Sequence, residues 1–277
     1  SCFEKRGEAP DEYSEISDFV INGEDIIILD RNQQKTITYE HSGNSISTFH
    51  LEYYAQAISP IVNNTFFLYN GFDTGHKLHR IRNWKEDSVF LEVDKNQTGY
   101  LFIFAHHNFY QDHDSIYFFQ PINDTIYKSV DGGSMAPILH IDFKGKNIPA
   151  SFFSDKKYEN IKDFFDNLHK SSYAYGIYSF IRDERFTMFG SYYHKNKKLT
   201  LFDHKNKSSN TFGTIKDDVC FKGLTIPLSQ FIYHANKSGS IVVPLEAYSV
   251  VEWRNTYTPS EPFENVINAI REDDNPV

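Results

Sequence analysis

The sequence predicts an all-β fold, a β-propeller of about six short four-stranded sheets around a channel, with two helical additions. Three observations predict it. Short runs rich in Ile, Thr, Tyr and Phe, bounded by Asn, Asp and Gly, punctuate the chain in the manner of antiparallel strands. Sets of these runs recur, and a repeating strand set of roughly 40 residues is a propeller blade. Aromatics reach 16%, with 25 Phe and 18 Tyr, which suits strands that must fill broad sheet-to-sheet interfaces. The 277 residues are expected to form one domain spanning 1–277, because β architectures run to about 200–250 residues without splitting.

The elements follow in order. Glu4 to Tyr13 contains Gly7 and Pro10, reads as a loop, and feeds a strand at Ile16 to Ile21. Asp25 to Asp30 (DIIILD), Thr36 to Glu40 (TITYE) and Ile46 to Leu51 complete the first repeat, separated by the polar turns Arg31–Gln34 and His41–Asn44. The second repeat starts near Ala57, with Thr65 to Tyr69, Lys77 to Arg82 and Ser88 to Val93 as strands. The third takes Leu101 to Ala105, a polar loop from His106 to Asp114, then Ser115 to Phe119, Thr125 to Ser129 and Pro137 to Phe143. Tyr158 to Lys170 breaks the pattern: Ile161, Phe164, Phe165 and Leu168 fall on one helical face, with Asp155 as cap. Strands resume at Tyr173 to Ile181, Arg185 to Ser191 and Leu199 to Asp203. A less regular fifth repeat covers Asp217 to Leu224 and Ser240 to Pro244. A second helix is expected at about 260–271, with Phe263, Val266, Ile267 and Ile270 on one stripe, Ser260 as cap and Pro262 in the first turn.

Two stretches carry a family resemblance. The first is Arg-Gly-Glu-x-Pro-x-Glu-Tyr, a strand, Ile-Ile-Leu-Asp, a turn and Thr-Tyr-x-x-x-Gly, beginning at Arg6. The second runs from Asn123 to Phe153, with Asn-Asp-Thr-Ile-Tyr followed by Ile-Asp-Phe-x-x-Lys-x-Ile-Pro. In order and spacing they resemble the six-bladed β-propeller family of Bacteroides-type bacteria, NHL-repeat-like and mostly predicted lipoproteins or secreted proteins of unknown function. The family's loop usually reads Gly-x-Gly-Pro-Gly-Glu-Tyr, and Ala9 and Asp11 replace two of those glycines, which puts a positive φ there in doubt. The resemblance implies a periplasmic, outer-membrane-associated or extracellular location. Relative to the family, both ends read as short, by about one blade at the N-terminus. That leaves either a short form with about five blades or six with irregular ones.

Composition narrows the partners. A net charge of -9 argues against nucleic acid, which needs a basic surface, and Lys195–Lys198 reads as a solvated turn. No apolar run approaches the ~18–20 residues of a membrane span. Cys2 and Cys220 are the only cysteines. They exclude a disulfide scaffold; Cys2 is either a lipid-bearing residue or an ordinary strand position. Nothing in the sequence sets an oligomeric state.

The most conspicuous polar cluster is His106, His107, Tyr110, Asp112 and His113, with Asp114. Histidine and carboxylate together suit a transition metal, but one loop without ligand spacing reads instead as a solvated loop that contacts a ligand if it lines the channel. Asp30, Asp124 and Asp142 flank strands and read as caps of turn amides rather than Ca²⁺ ligands. There is no nucleophile elbow, Walker sequence or Gly-x-Gly-x-x-Gly, so no cofactor is expected. Cys220 sits in an apolar run. Trp84, Trp253, Tyr192, Tyr193 and Tyr257 read as blade packing more readily than as sugar platforms. The function expected is a non-catalytic envelope binding or scaffold propeller for a glycan, peptide or protein partner. The alternative is a propeller lyase or hydrolase whose residues converge at the channel, with His50, His79, His107, His140 and Asp142 as the groups to watch.

Overall fold

The computed structural model describes residues 4–61, 65–71, 75–94, 107–130, 133–154, 158–226, 228, 234–235, 241–242 and 245–274. The chain divides into two compact units, Ser1–Tyr178 and Ser179–Val277.

The first unit opens with β1 (Asp18–Asn22), β2 (Asp25–Asp30), β3 (Lys35–Glu40) and β4 (Ser45–His50), a sheet in sequence order. A second such sheet is β5 (Ala55–Pro60), β6 (Thr65–Asn70), β7 (His76–Arg82) and β8 (Lys85–Glu92). The third is β9 (Phe109–Asp112), β10 (Ser115–Phe118), β11 (Thr125–Val130) and β12 (Ser134–His140). All three sheets are antiparallel. One expectation is corrected here. The stretch from His106 to Asp114 is not simply a loop, because Phe109–Asp112 is strand β9 and Phe109 is buried. A four-residue strand with polar Gln111 and Asp112 carries too little alternation to be seen in the sequence. The expected strand at Leu101–Ala105 lies outside the described residues.

Side-chain alternation stacks these sheets face to face. On the central strand β6, Phe66 and Leu68 join a core with Val20, Ile27 and Leu29 of the first sheet. Phe67 and Tyr69, one residue out of step, join a core with Phe109, Ile116 and Phe118 of the third. Period-two geometry makes this inevitable once both faces of a sheet are covered. The first strands also meet, β5 packing against β1 and β9. Successive four-stranded meanders with facing cores and neighbouring first strands are a propeller-like arrangement. Trp84 closes the β7–β8 hairpin beside Asn83, both at positive φ. Its ring lies 5.4 Å from that of Phe66 and 6.3 Å from that of Phe49, so it packs between sheets rather than outward.

The N-terminal segment is strapped onto the first sheet. Asp30 accepts from the Ser14 amide at 2.6 Å and from the Gln33 amide at 3.0 Å, and the Tyr39 hydroxyl donates to the Asp11 carbonyl at 2.6 Å. Neither Ala9 nor Asp11 is among the residues at positive φ. After β12 come α1 (Ser151–Ser154) and α2 (Ile161–Lys170). Asn160 caps α2 by accepting from the Asp163 amide at 3.0 Å; Asp155, the expected cap, lies outside the described residues. Phe164 and Leu168 are the buried pair of its apolar face.

The boundary between units falls within β13 (Ala174–Arg182), which precedes β14 (Phe186–Tyr193), β15 (Asn196–Asp203) and β16 (Ser208–Phe212) in a fourth sheet of that order. The hairpins β17 (Ile215–Asp217) with β18 (Leu224–Ile226) and β19 (His234–Ala235) with β20 (Ile241–Val242) follow. Among the described residues there are therefore four four-stranded sheets and two two-stranded hairpins. Helices α3 (Ala247–Thr256) and α4 (Glu264–Ala269) end the chain. The expected second helix is shorter than 260–271 and follows Phe263 rather than Ser260. Helix α3 was not expected: Ala247, Val250 and Val251 are its buried residues, too few for a visible stripe. They pack with Phe221, Leu224, Ile267 and Ile270.

Candidate functional site

Asp18 opens β1, and its carboxylate gathers three donors. Oδ1 accepts the Phe19 amide at 2.9 Å. Oδ2 accepts the Ile58 amide of β5 at 2.9 Å and faces Nδ1 of His107, just before β9, at 2.8 Å. One carboxylate thus bonds the leading strand of the second sheet and the approach to that of the third. An ionised carboxylate can only accept. The hydrogen between an ionised Asp18 and His107 therefore belongs to Nδ1. The two side chains are 14% and 36% exposed, Asp18 the deeper. The Phe109 ring meets the imidazole edge-on, 5.7 Å between centroids.

The other residues of the sequence cluster do not join His107. His106 lies outside the described residues. Tyr110 sits on β9 with its ring 5.9 Å from that of Tyr117, its cross-strand partner. Asp112 and His113 pair with each other at 2.7 Å in the β9–β10 turn, where His113 is at positive φ and largely exposed. Strand β9 spans about 13 Å between that turn and His107. No group of three or more His, Cys, Asp or Glu side chains among the described residues stands ready to hold a metal ion.

A second polar cluster lies in the second sheet. His79 Nδ1 faces Glu86 Oε2 at 2.5 Å, its Nε2 faces the His76 carbonyl at 3.1 Å, and Tyr53 stacks on the ring at 3.8 Å. The Tyr53 hydroxyl is buried without a hydrogen-bond partner, and burial, with Glu86 nearby, pushes the phenol pKa up. Both His79 nitrogens are engaged, so this cluster offers a ligand less than His107 does. Among the described residues no bond joins any two of His50, His79, His107, His140 and Asp142. Asp30 binds turn amides, as already described, and Asp142 accepts the Lys144 amide at 2.7 Å. Asp124 accepts from Asn147 Nδ2 at 2.6 Å, and burial pushes its pKa up against that bond.

Asp18 is the residue that sequence reasoning missed. It stands 89 positions from its histidine, and an Asp at a strand start carries no mark of that partnership.

No curated protein is similar in sequence. The family described as Domain of unknown function (DUF4934) matches residues 1–277. The fold is similar to that of a Bacteroides fragilis NCTC 9343 protein predicted to be exported, at 16% identity and a TM-score of 0.75, over 99% of this chain and 78% of that one. A member of the DUF4221 family from Bacteroides vulgatus ATCC 8482 aligns at 8% identity and a TM-score of 0.43, over 69% of this chain and 64% of that one. A catalytically inactive virginiamycin B lyase from Staphylococcus aureus, with quinupristin, aligns at 11% identity and a TM-score of 0.45, over 81% and 68%.

Proposed function

We propose, from the premise that this chain belongs to the family Domain of unknown function (DUF4934), that it is a binding or scaffold module of the bacterial cell envelope. It is built as one propeller of about six blades and takes a glycan, peptide or protein partner where the first strands of its sheets meet. The observation that carries this reading is the Asp18–His107 pair, a partly exposed imidazole held by a more buried carboxylate beside those strands. Loops and strand ends on a rigid β scaffold are where such folds place their contacts. The exported protein of similar fold supports an envelope location, and the net charge of -9 disfavours nucleic acid.

Titration of the full chain against a glycan and peptide panel at high micromolar concentration tests the binding reading. A ligand whose affinity drops in His107→Ala is expected, and silence across the panel would sink the reading. Recovery of the protein in the cytoplasmic fraction of its host would remove the envelope assignment.

The second reading, a propeller enzyme, is favoured by one observation of its own: a carboxylate faces Nδ1 of His107, and no bond among the described residues engages Nε2.

A further inference from the structure

We infer that Asp18 and His107 form an acid–base dyad in which Nε2 of His107 accepts a proton from water or a substrate hydroxyl, and that the substrate is an uncharged acyl compound such as an ester. This inference deepens the enzyme reading and rests on the same site.

Three features of the geometry carry it. First, the Asp18 carboxylate faces donors from three places: the Phe19 amide, the Ile58 amide and His107 Nδ1, at 2.9, 2.9 and 2.8 Å. A simple tie between sheets needs only the Ile58 amide. Adding the imidazole fixes its tautomer and its direction, the arrangement by which a carboxylate makes a neighbouring histidine a general base. Second, no bond among the described residues engages Nε2, and the His107 side chain is 36% exposed. Third, the imidazolium formed on proton uptake sits against a carboxylate that is 14% exposed, where charge attraction is less screened than at the surface.

The substrate class follows from charge. Nε2 lies on the far side of a ring backed by a carboxylate, in a chain of net charge -9. An anionic substrate would be repelled there, whereas a neutral ester carbonyl would not.

The step balances with water as co-reactant. Nε2 takes one proton from water as the water oxygen bonds to the carbonyl carbon, and the carbonyl π pair moves onto oxygen. That pair returns to re-form the carbonyl as the bond to the leaving alkoxide or phenolate breaks. The leaving oxygen departs with its bonding pair, and the proton on Nε2 passes to it or to solvent. His107 would be the catalytic residue and Asp18 a positioning residue.

The test uses the full chain with p-nitrophenyl acetate as probe, and nitrogen NMR of the histidine ring. Wild type is expected to show His107 protonated on Nδ1 and to hydrolyse the probe. His107→Gln should lower the rate on the order of a hundredfold. Asp18→Ala removes the acceptor opposite Nδ1. It should move the proton to Nε2 and lower the rate with little change in KM, and Asp18→Glu should restore part of both. Hydrolysis by His107→Gln at the wild-type rate, or an Nε2–H tautomer in the wild type, would overturn the inference. If Asp18→Ala fails to fold, the histidine variant and the wild-type spectrum still decide it. Ligand binding retained without hydrolysis would remove the dyad chemistry alone, and hydrolysis without any panel binding would remove the binding reading alone.

Discussion

The ammonium of Lys35 lies 2.9 Å from the carbonyl oxygen of Ala9 and 3.3 Å from that of Pro10, and the residue is 1% exposed. Strand β3 thereby reaches across to the N-terminal segment and ties it to the first sheet. The charge is held there against its preference for water. Burial lowers the Lys35 pKa, although the carboxylates of Asp30, Asp11 and Glu12 pull the other way.

Lys35→Met keeps the stem and removes the donors. Hydrogen bonds from a charged group contribute about 1.5–3 kcal/mol, and relief from burying the charge returns part of that, so a net loss of about 1–2 kcal/mol is expected. It should appear as a lower urea midpoint at unchanged slope. A midpoint at or above wild type would mean that the burial cost exceeds the two bonds.

Alkaline stability follows from buried phenols. Burial, with Asp11, Tyr13 and Glu12 adding to it, pushes the Tyr39 pKa up from 10.0 to about 12, and burial raises those of Tyr53 and Tyr69 as well. Between pH 10 and 12 the unfolded chain loses protons that the folded chain keeps, so stability must fall as pH rises through that window. Lys35 and Lys197, with their lowered pKa values, work in the opposite direction but are two groups against these three phenols and Tyr192, whose pKa burial also raises. Urea midpoints at pH 9, 10 and 11 should decline in order, and Tyr39→Phe should make the decline shallower. A flat series would contradict the burial argument.

The strands were legible where local chemistry and tertiary role agree. DIIILD is β2 to the residue because Ile26 and Ile28 face one side, Ile27 and Leu29 the other, and all are β-formers. Asp30 was legible as a strand stop because one of its partners, Gln33, lies three residues on in the turn. Strand β9 was hidden by its brevity and polar residues. Helix α3 was hidden because its buried face is completed by Phe221 and Leu224, about 25 residues upstream. The candidate site was half legible. His107 stood out as one of a histidine cluster, but a carboxylate supplied by another sheet leaves no linear trace. The same clustering drew in Asp112 and His113, which the alternation and length of β9 carry away from it.

Gly71 is required by a neighbour rather than by its own backbone. A Cβ there would fall 2.0 Å from Oε1 and 2.1 Å from Cδ of Gln56, and Gln56 is buried. Gly71→Ala should therefore cost about 1–3 kcal/mol, as overpacking does. In a Gln56→Ala background the same substitution should cost much less, a coupling that a double-mutant cycle measures directly. Equal costs in both backgrounds would rule out the clash as the cause.

At the C-terminal end, Arg254 of α3 holds α4 closed. Its Nη1 donates to the carbonyls of Ile267, Asn268 and Ile270 at 3.1, 3.2 and 2.7 Å. Those oxygens belong to the last turn and C-cap of a six-residue helix, which is too short to persist alone. A guanidinium at a helix C-terminus also meets the negative end of the helix dipole. Arg254→Met retains the apolar stem and strips these bonds, with an expected loss of about 1–3 kcal/mol confined to this corner. Hydrogen exchange at the Ile267 and Ile270 amides should accelerate while amides of β2 and β3 stay protected. Arg254→Lys should fall between the two, since an ammonium keeps the charge without the planar fork. If α4 exchanged no faster in Arg254→Met, its stability would have to come from the apolar contacts of Ile267 and Ile270 alone, and the cap would be incidental.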